Sequence, residues 1–286
     1  MTNWLSLGTG DLTLDLAPEI GGSIARFRRG GQQLMRPAPD AASDAGEMAN
    51  FPLVPFSNRI RGGRFECDGR VVTLSPNLPG DTSPLHGQGW RSSWTVERSD
   101  TRSATLAFIH EPGEWPWRYE SRQVFELDES GLTVTLTCRN LSPERMPCAL
   151  AFHPYFDCDE ATRLSTGVTD VWTIDDDVLP VERIPATGRY DPSNGPVCGR
   201  GLDNGFEGWS GEALIDWGRG ARVRMTAPAP RFQLYAPTSG GMFVAEPVEN
   251  ANCALNAPQD QWESLGIALL AEGEERNLSV RFEIEG

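Results

Sequence analysis

The sequence predicts an all-β protein, a sandwich or barrel of many short strands, on three observations. Apolar and polar residues alternate at the strand period in one segment after another. Turn formers separate those segments at spacings of roughly 8–12 residues. No window carries a sustained apolar stripe at helical spacing, and helical patterns do not alternate with strands, which disfavours a doubly wound α/β fold.

The alternation is clearest in Leu12–Leu16, and Ser23–Arg28 reads as the next strand, closed by Gly30-Gly31. Arg36–Asn58 then reads as a long irregular loop, with one short helical candidate over Asp40–Met48. Arg64–Leu74, Trp94–Arg98 and Ala104–His110 follow, the last ended by Pro112-Gly113. Tyr119–Leu127 and the strictly alternating Leu132–Cys138 flank a turn at Asp128–Gly131. Cys148–Phe152 and Val171–Ile174 lead to a second irregular stretch, Gly188–Gly211. Arg222–Thr226, Arg231–Ala236, Met242–Ala245 after Gly240-Gly241, Leu265–Leu270 and Leu278–Ile284 complete the set. Loops as long as the two irregular stretches are usually functional or disordered. Neither has linker composition, and no repeat recurs at a fixed period, so residues 1–286 read as a single domain and not as a propeller.

Composition narrows the function. Gly and Pro together make 52 of 286 residues, which suits a turn-rich chain without low complexity. The net charge of −15 and pI near 4.7 repel phosphate backbones and anionic membrane surfaces, so neither nucleic acid nor membrane is an expected partner. All 25 basic residues are Arg, which excludes Schiff-base chemistry and the P-loop lysine. No apolar run approaches the ~18 residues of a membrane span. The start MTNWLSLGTGDLTLDL has no basic region or long apolar run, so a signal peptide is not expected. Cys67, Cys138, Cys148, Cys158, Cys198 and Cys253 show no CxxC spacing, which argues against a zinc ribbon. Buried free thiols in a reducing cytoplasm are expected, with disulfides the less favoured alternative. No metal site and no cofactor motif is read, and no segment specifies an oligomeric state.

Only three His are present. His86 stands in Pro84-Leu85-His86-Gly87-Gln88-Gly89-Trp90, where two Gly allow close backbone approach and Trp90 offers a flat apolar face. His153 follows an apolar strand in Ala151-Phe152-His153-Pro154-Tyr155-Phe156 and suggests a strand running into a cleft. His110 sits where a strand turns and reads as structural. In Met242-Phe243-Val244-Ala245-Glu246-Pro247 a carboxylate ends an apolar strand, with Pro247 expected to stop the pairing. Burial there would raise the Glu246 pKa into the range of a working base, whereas Glu249 reads as solvated. Arg59, within Asn58–Arg64, could hold sugar hydroxyls, a carboxylate or a phosphate. Asp203 lies in Gly201-Leu202-Asp203-Asn204-Gly205-Phe206 and reads as part of a Gly-rich loop. Trp90, Trp94, Trp115 and Trp117 cluster in one third of the chain, as sugar-stacking faces or as core filling.

Taken in order, Asn58-Arg59-Ile60, Leu85-His86-Gly87, His153-Pro154-Tyr155-Phe156, the late Asp203 and Glu246-Pro247 resemble the aldose 1-epimerase (galactose mutarotase) family over residues of about 10–285. The resemblance implies a large β-supersandwich of mostly antiparallel strands with the site in a cleft on one face. It implies Glu246 as catalytic base, His153 as catalytic acid, His86 near the ring oxygen, and Arg59 and Asp203 as hydroxyl ligands, with Trp90 added as a substrate-binding face. The implied partner is a monosaccharide and no cofactor is needed. The acid and base are both in place, while the Gly-Gln-Gly-Trp segment after His86 departs from the family pattern and bears on which sugar binds.

Mutarotation removes a proton from the anomeric hydroxyl and delivers one to the ring oxygen. A carboxylate and an imidazolium on opposite sides could do both. A hexose-6-phosphate 1-epimerase, with Arg59, Arg61, Arg64 or Arg91 gripping the phosphate, is an alternative. So is a non-catalytic sugar-binding domain, and so is a two-carboxylate glycosidase using Glu246 and Asp203.

Overall fold

The computed structural model describes residues 4–286, and the first three residues of the start read above lie outside the described residues. The chain is almost entirely strands and turns, and every paired strand is antiparallel to its neighbours. One eight-stranded sheet runs in the order Arg163–Thr166, Glu212–Asp216, Arg222–Thr226, Glu275–Glu285, Gly131–Asn140, Tyr119–Asp128, Ser103–His110, Thr95–Ser99. A second runs Pro180–Pro185, Asp170–Ile174, Leu202–Glu207, Arg231–Ala236, Met242–Val248, Ala151–Phe152, Pro52–Leu53, with Tyr155–Asp157 also paired to Met242–Val248. A four-stranded sheet from Leu5 to Gln33 and two hairpin-sized pairs complete the fold.

Periodicity explains the first sheet. Tyr119–Asp128 alternates buried and less buried residues, and the turn folds it onto Gly131–Asn140 with Asp128 opposite Gly131. Asp128 accepts the Ser130 and Gly131 N–H groups, the side-chain turn that an Asp before Ser-Gly favours. The inward residues Leu106, Phe125, Leu136 and Val280 of this sheet share one buried cluster with Phe206, Phe232, Leu234 and Phe243 of the second. Two sheets that bury their apolar faces against a common core make a sandwich. Trp94, Trp115 and Trp117 fill this core, and Trp90 belongs to a smaller cluster with Phe51 and Val248.

The structure corrects several expectations. Arg64–Leu74 is a hairpin, Arg64–Cys67 and Arg70–Thr73, turned at Asp68-Gly69. Asp40–Met48 yields only the 3-10 turn Ala45–Glu47: Asp44 and Glu47 form a capping box, but Gly46 and the flanking irregular chain carry no apolar stripe to extend it. Gly188–Gly211 is not wholly irregular, because Leu202–Glu207 is a central strand of the second sheet. Pro247 does not stop its strand, which runs on to Val248 with Pro247 opposite Phe232. Glu249 is buried, its Oε2 accepting the Leu150 N–H and the Arg276 Nε–H, each at 2.8 Å. Cys67, Cys138, Cys148 and Cys253 are buried free thiols, but Cys158 and Cys198, with Cα atoms 5.5 Å apart, form a disulfide. Cys158 lies just past the strand Tyr155–Asp157 and Cys198 in a turn, a pairing that local spacing does not connect. Among the described residues, no helix is long and apolar enough to cross a membrane.

Candidate active site

The site follows from strand register. Met242–Val248 pairs Val244 with Tyr155 and Val248 with Ala151. Counting inward from both ends puts His153 opposite Glu246, at the break that Pro154 makes between the two short strands. On the other side of the same strand, Gln233 is opposite Glu246, and Gly205 is opposite Gln233. His153 in turn donates its backbone N–H to the Phe51 carbonyl at 3.0 Å. One row of the sheet therefore reads Gly205, Gln233, Glu246, His153, Phe51. Two residues along, on the same face, a second row reads Asp203, Tyr235, Val244, Tyr155. Asp203 thus lies in a strand and not in a loop.

Glu246 Oε1 lies 3.6 Å from His153 Nε2, beyond hydrogen-bond distance but close enough for both to touch one small group. Glu246 is 2% exposed and His153 8%. Glu246 Oε2 and His153 Nδ1 are buried without a hydrogen-bond partner. Phe51 stacks on the His153 ring at 4.5 Å, and Tyr155 meets it at 4.8 Å. Gln233 donates from Nε2 to Asp203 Oδ1 at 2.8 Å, while its Oε1 is buried and unpartnered.

The remaining residues arrive on two loops laced together. Ile60 and His86 donate their N–H groups to the Pro84 and Asn58 carbonyls, and Arg59 bridges Leu85. His86 has a φ of 65°, and its Nδ1 accepts the Asn58 N–H at 3.2 Å, which leaves the neutral ring its proton on Nε2. The His86 and His153 rings meet edge-on at 5.3 Å. Trp90 is buried behind them, stacked on Phe51 at 5.4 Å and edge-on to His86 at 5.8 Å. Arg59 donates from Nε and Nη2 to Asp81 Oδ2 at 2.9 and 2.8 Å. Its charge is felt at Glu246, Asp203 and His86.

Burial dominates the electrostatics. It pushes the Glu246 carboxyl well above the usual range, the Asp203 charge adds to this, and Arg59 opposes it. Burial also pulls the His153 imidazole down to about 3, with Arg36 acting the same way. Burial thus favours the neutral imidazole at His153. A single proton shared by this buried pair rests on the carboxyl, because that state carries no charge. Asp203 is raised by burial, against Arg59 and its Gln233 bond.

Glu246, His153, His86, Arg59, Asp203 and Trp90 are thus all brought into one region. His110 is not, bonding the Trp115 carbonyl from Nε2 and stacking on Tyr119. Arg61 and Arg64 are also elsewhere, Arg61 bonding the Pro180 carbonyl and Arg64 being exposed, whereas Arg91 reaches only the outer side of the region, over the Trp90 ring at 5.0 Å and bonding the Asn77 carbonyl. Sequence reasoning missed Gln233, Phe51, Arg36 and Asp81. Gln233 and Phe51 are visible only through register, and Asp81 reads locally as an ordinary turn residue after Pro79-Gly80. Among the described residues, no group of three or more His, Cys, Asp and Glu could hold a metal. Open grooves of about 430 and 590 Å³ lie around Trp4 and Trp94 and around Trp262 and Arg276, and neither groups a His with a carboxylate.

Comparison with known proteins converges on one family. A family model described as aldose 1-epimerase matches residues 5–283. The uncharacterised protein YphB of Escherichia coli K12 is 31% identical over 98% of each chain. A crystal structure of a candidate aldose 1-epimerase from Escherichia coli K12 superimposes with a TM-score of 0.90 at 30% identity, covering 99% of each chain. Galactose 1-epimerase from Lactobacillus acidophilus superimposes with a TM-score of 0.78 at 16% identity, covering 100% of this chain and 98% of that one, a likeness of fold.

Proposed function

The chain belongs to the aldose 1-epimerase family, and on that premise we propose that it is a mutarotase interconverting the α and β anomers of a free aldose. The observation that carries the reading is the buried pair at 3.6 Å, Glu246 Oε1 and His153 Nε2. The two oxygens that exchange protons in mutarotation sit on the same carbon, so acid and base must lie side by side rather than across the ring.

Glu246 takes the proton of the anomeric hydroxyl, and the freed electron pair forms the C1 carbonyl. The bond from C1 to the ring oxygen breaks, and that oxygen receives the proton held by His153. Rotation about C1–C2 presents the other carbonyl face, and the same two transfers run backwards. The pair carries one proton throughout. Burial alone favours the proton on Glu246; sugar hydroxyls donating to the carboxylate, together with Arg59, shift it to His153. Arg59, His86 and Asp203 hold the sugar hydroxyls, Trp90 backs the pocket, and residues 1–286 work as one unit. Each proton transfer of this kind contributes about 10²–10⁴-fold.

Anomer exchange measured by NMR or polarimetry on fresh α-glucose, galactose, xylose and arabinose tests the proposal. Faster equilibration of at least one sugar, lost in Glu246→Gln, is the expected result. Full catalysed exchange by Glu246→Gln would sink it.

A further inference from the structure

We propose that Asp81 is a specificity-determining residue: by engaging Arg59 it reserves the site for uncharged aldoses and turns away sugars bearing a phosphate ester or a carboxylate. The inference rests on the mutarotase reading and concerns what the same site rejects.

Arg59 is the cation that faces the reacting groups, and on its own it would suit an anion. A guanidinium grips phosphate or carboxylate through paired N–H groups. Here the Nε and Nη2 edge is already occupied, both groups donating to Asp81 Oδ2. Asp81 is itself fixed, since Oδ1 accepts the Ser83 N–H at 3.0 Å and its own N–H bonds the Leu78 carbonyl. The Arg59 backbone is pinned too, its N–H donating to Asn252 Oδ1 at 3.0 Å and its carbonyl accepting from Cys253. Both partners are thus anchored at the backbone, and the Asp81 carboxylate is held through both of its oxygens. The pair is largely buried, at 13% and 9% side-chain exposure, so water screens it little.

The charges around it point the same way. Asp203 lies close enough for the Asp81 charge to push its pKa up, and Asp203 does the same to Glu246. Arg36, the other cation near His153, is engaged by the Gly46 and Met48 carbonyls at 2.8 Å and by the Tyr155 ring at 3.8 Å. A neutral sugar hydroxyl can accept from the remaining Arg59 Nη1 and donate to Asp203. Near Arg59 an anionic substituent meets two carboxylates, Asp81 and Asp203, and one guanidinium already paired with Asp81. Such juxtaposition discriminates by repulsion, not by a better fit to the right substrate.

The test compares glucose with glucose 6-phosphate and glucuronate on wild type, Asp81→Asn and Asp81→Glu, by anomer-exchange NMR and by calorimetric binding. Wild type is expected to favour glucose in kcat/KM by about tenfold or more, Asp81→Asn to shrink that ratio about tenfold, and Asp81→Glu to keep it. Circular dichroism establishes that each variant folds. If Asp81→Asn does not fold, the wild-type ratio decides alone: equal turnover of glucose and an anionic sugar overturns the proposal. A folded Asp81→Asn with an unchanged ratio overturns it as well. If no aldose is accelerated at all, the mutarotase reading falls and the binding constants decide the charge rule. Glucose bound about tenfold tighter than its 6-phosphate supports it, and equal binding, or none, overturns it.

Discussion

Glu246 and His153 are placed where each is costly to charge. Burial raises one and lowers the other, so the neutral arrangement, with the proton on the carboxyl, is the resting one. Glu246→Gln should therefore abolish catalysed exchange, a loss of about 10²–10⁴-fold, while leaving the fold intact, because an amide mimics the neutral carboxyl. Its effect on stability has a definite sign. A carboxyl raised in the native state loses stability as pH climbs above its unfolded value of 4.5. The variant should then melt above wild type at pH 8, by about 2–4 °C for each kcal/mol relieved, with the gap closing toward pH 4. Equal melting temperatures at both pH values would refute the buried-carboxyl account. His153, lowered to about 3, is neutral through the range where an ordinary imidazole titrates. The pH–rate profile should show no acid limb near 6.5 and should fall on the alkaline side, where the pair loses its one proton. A limb near 6.5 assigned to His153 would contradict this.

At the scale of elements, the site is two rows of one sheet face closed by two interlocked loops. The loops depend on backbone that few residues tolerate. His86 and Asn58 both sit at left-handed φ, at a cost of about 1–3 kcal/mol each. Gly87 follows at φ 66°, its Cα against the Val54 carbonyl, where any Cβ would collide. Gly87→Ala should thus lower stability by more than about 3 kcal/mol in urea unfolding and displace the His86 ring. A loss below 1 kcal/mol would show that the loop can yield. These elements also mark how far the sequence could be read. Alternation identified Leu12–Leu16, Leu132–Cys138 and Leu278–Ile284 because a half-buried strand writes its period locally. It missed Leu202–Glu207, since Asp203-Asn204-Gly205 reads as a turn, yet Gly205 is there to leave room for the Gln233 side chain. Pro247 misled for the same reason, a local rule overridden by neighbouring strands on both sides. His86, His153 and Glu246 were legible as residues, through scarcity and apolar surroundings. Their meeting was not, because register between Tyr155 and Val244 is a relation across 89 positions that no local pattern encodes.

Over the whole molecule the same division holds. Periodicity and turn spacing indicate an all-β sandwich, but not that Arg163–Thr166 pairs with Glu212–Asp216, or which strands share a sheet. Charge, by contrast, is a global property that the composition states outright, and it carries a consequence for function. With a net charge of −15, the molecule surrounds itself with a negative potential that salt screens over about 10 Å at 0.1 M. That potential acts at range on an anionic sugar and leaves an uncharged one unaffected. If the substrate is a neutral aldose, kcat/KM should change less than about twofold as salt rises from about 0.02 to 0.5 M. Any turnover of glucose 6-phosphate should rise several-fold over the same range as the repulsion is screened, leaving only the carboxylates near Arg59 to oppose it. Stopped-flow polarimetry across a salt series reads both. A neutral sugar whose rate falls steeply with salt would mean that a charged step limits turnover. An anionic sugar indifferent to salt would mean that the acidic surface does not reach the site, and that discrimination rests on Asp81 and Asp203 alone.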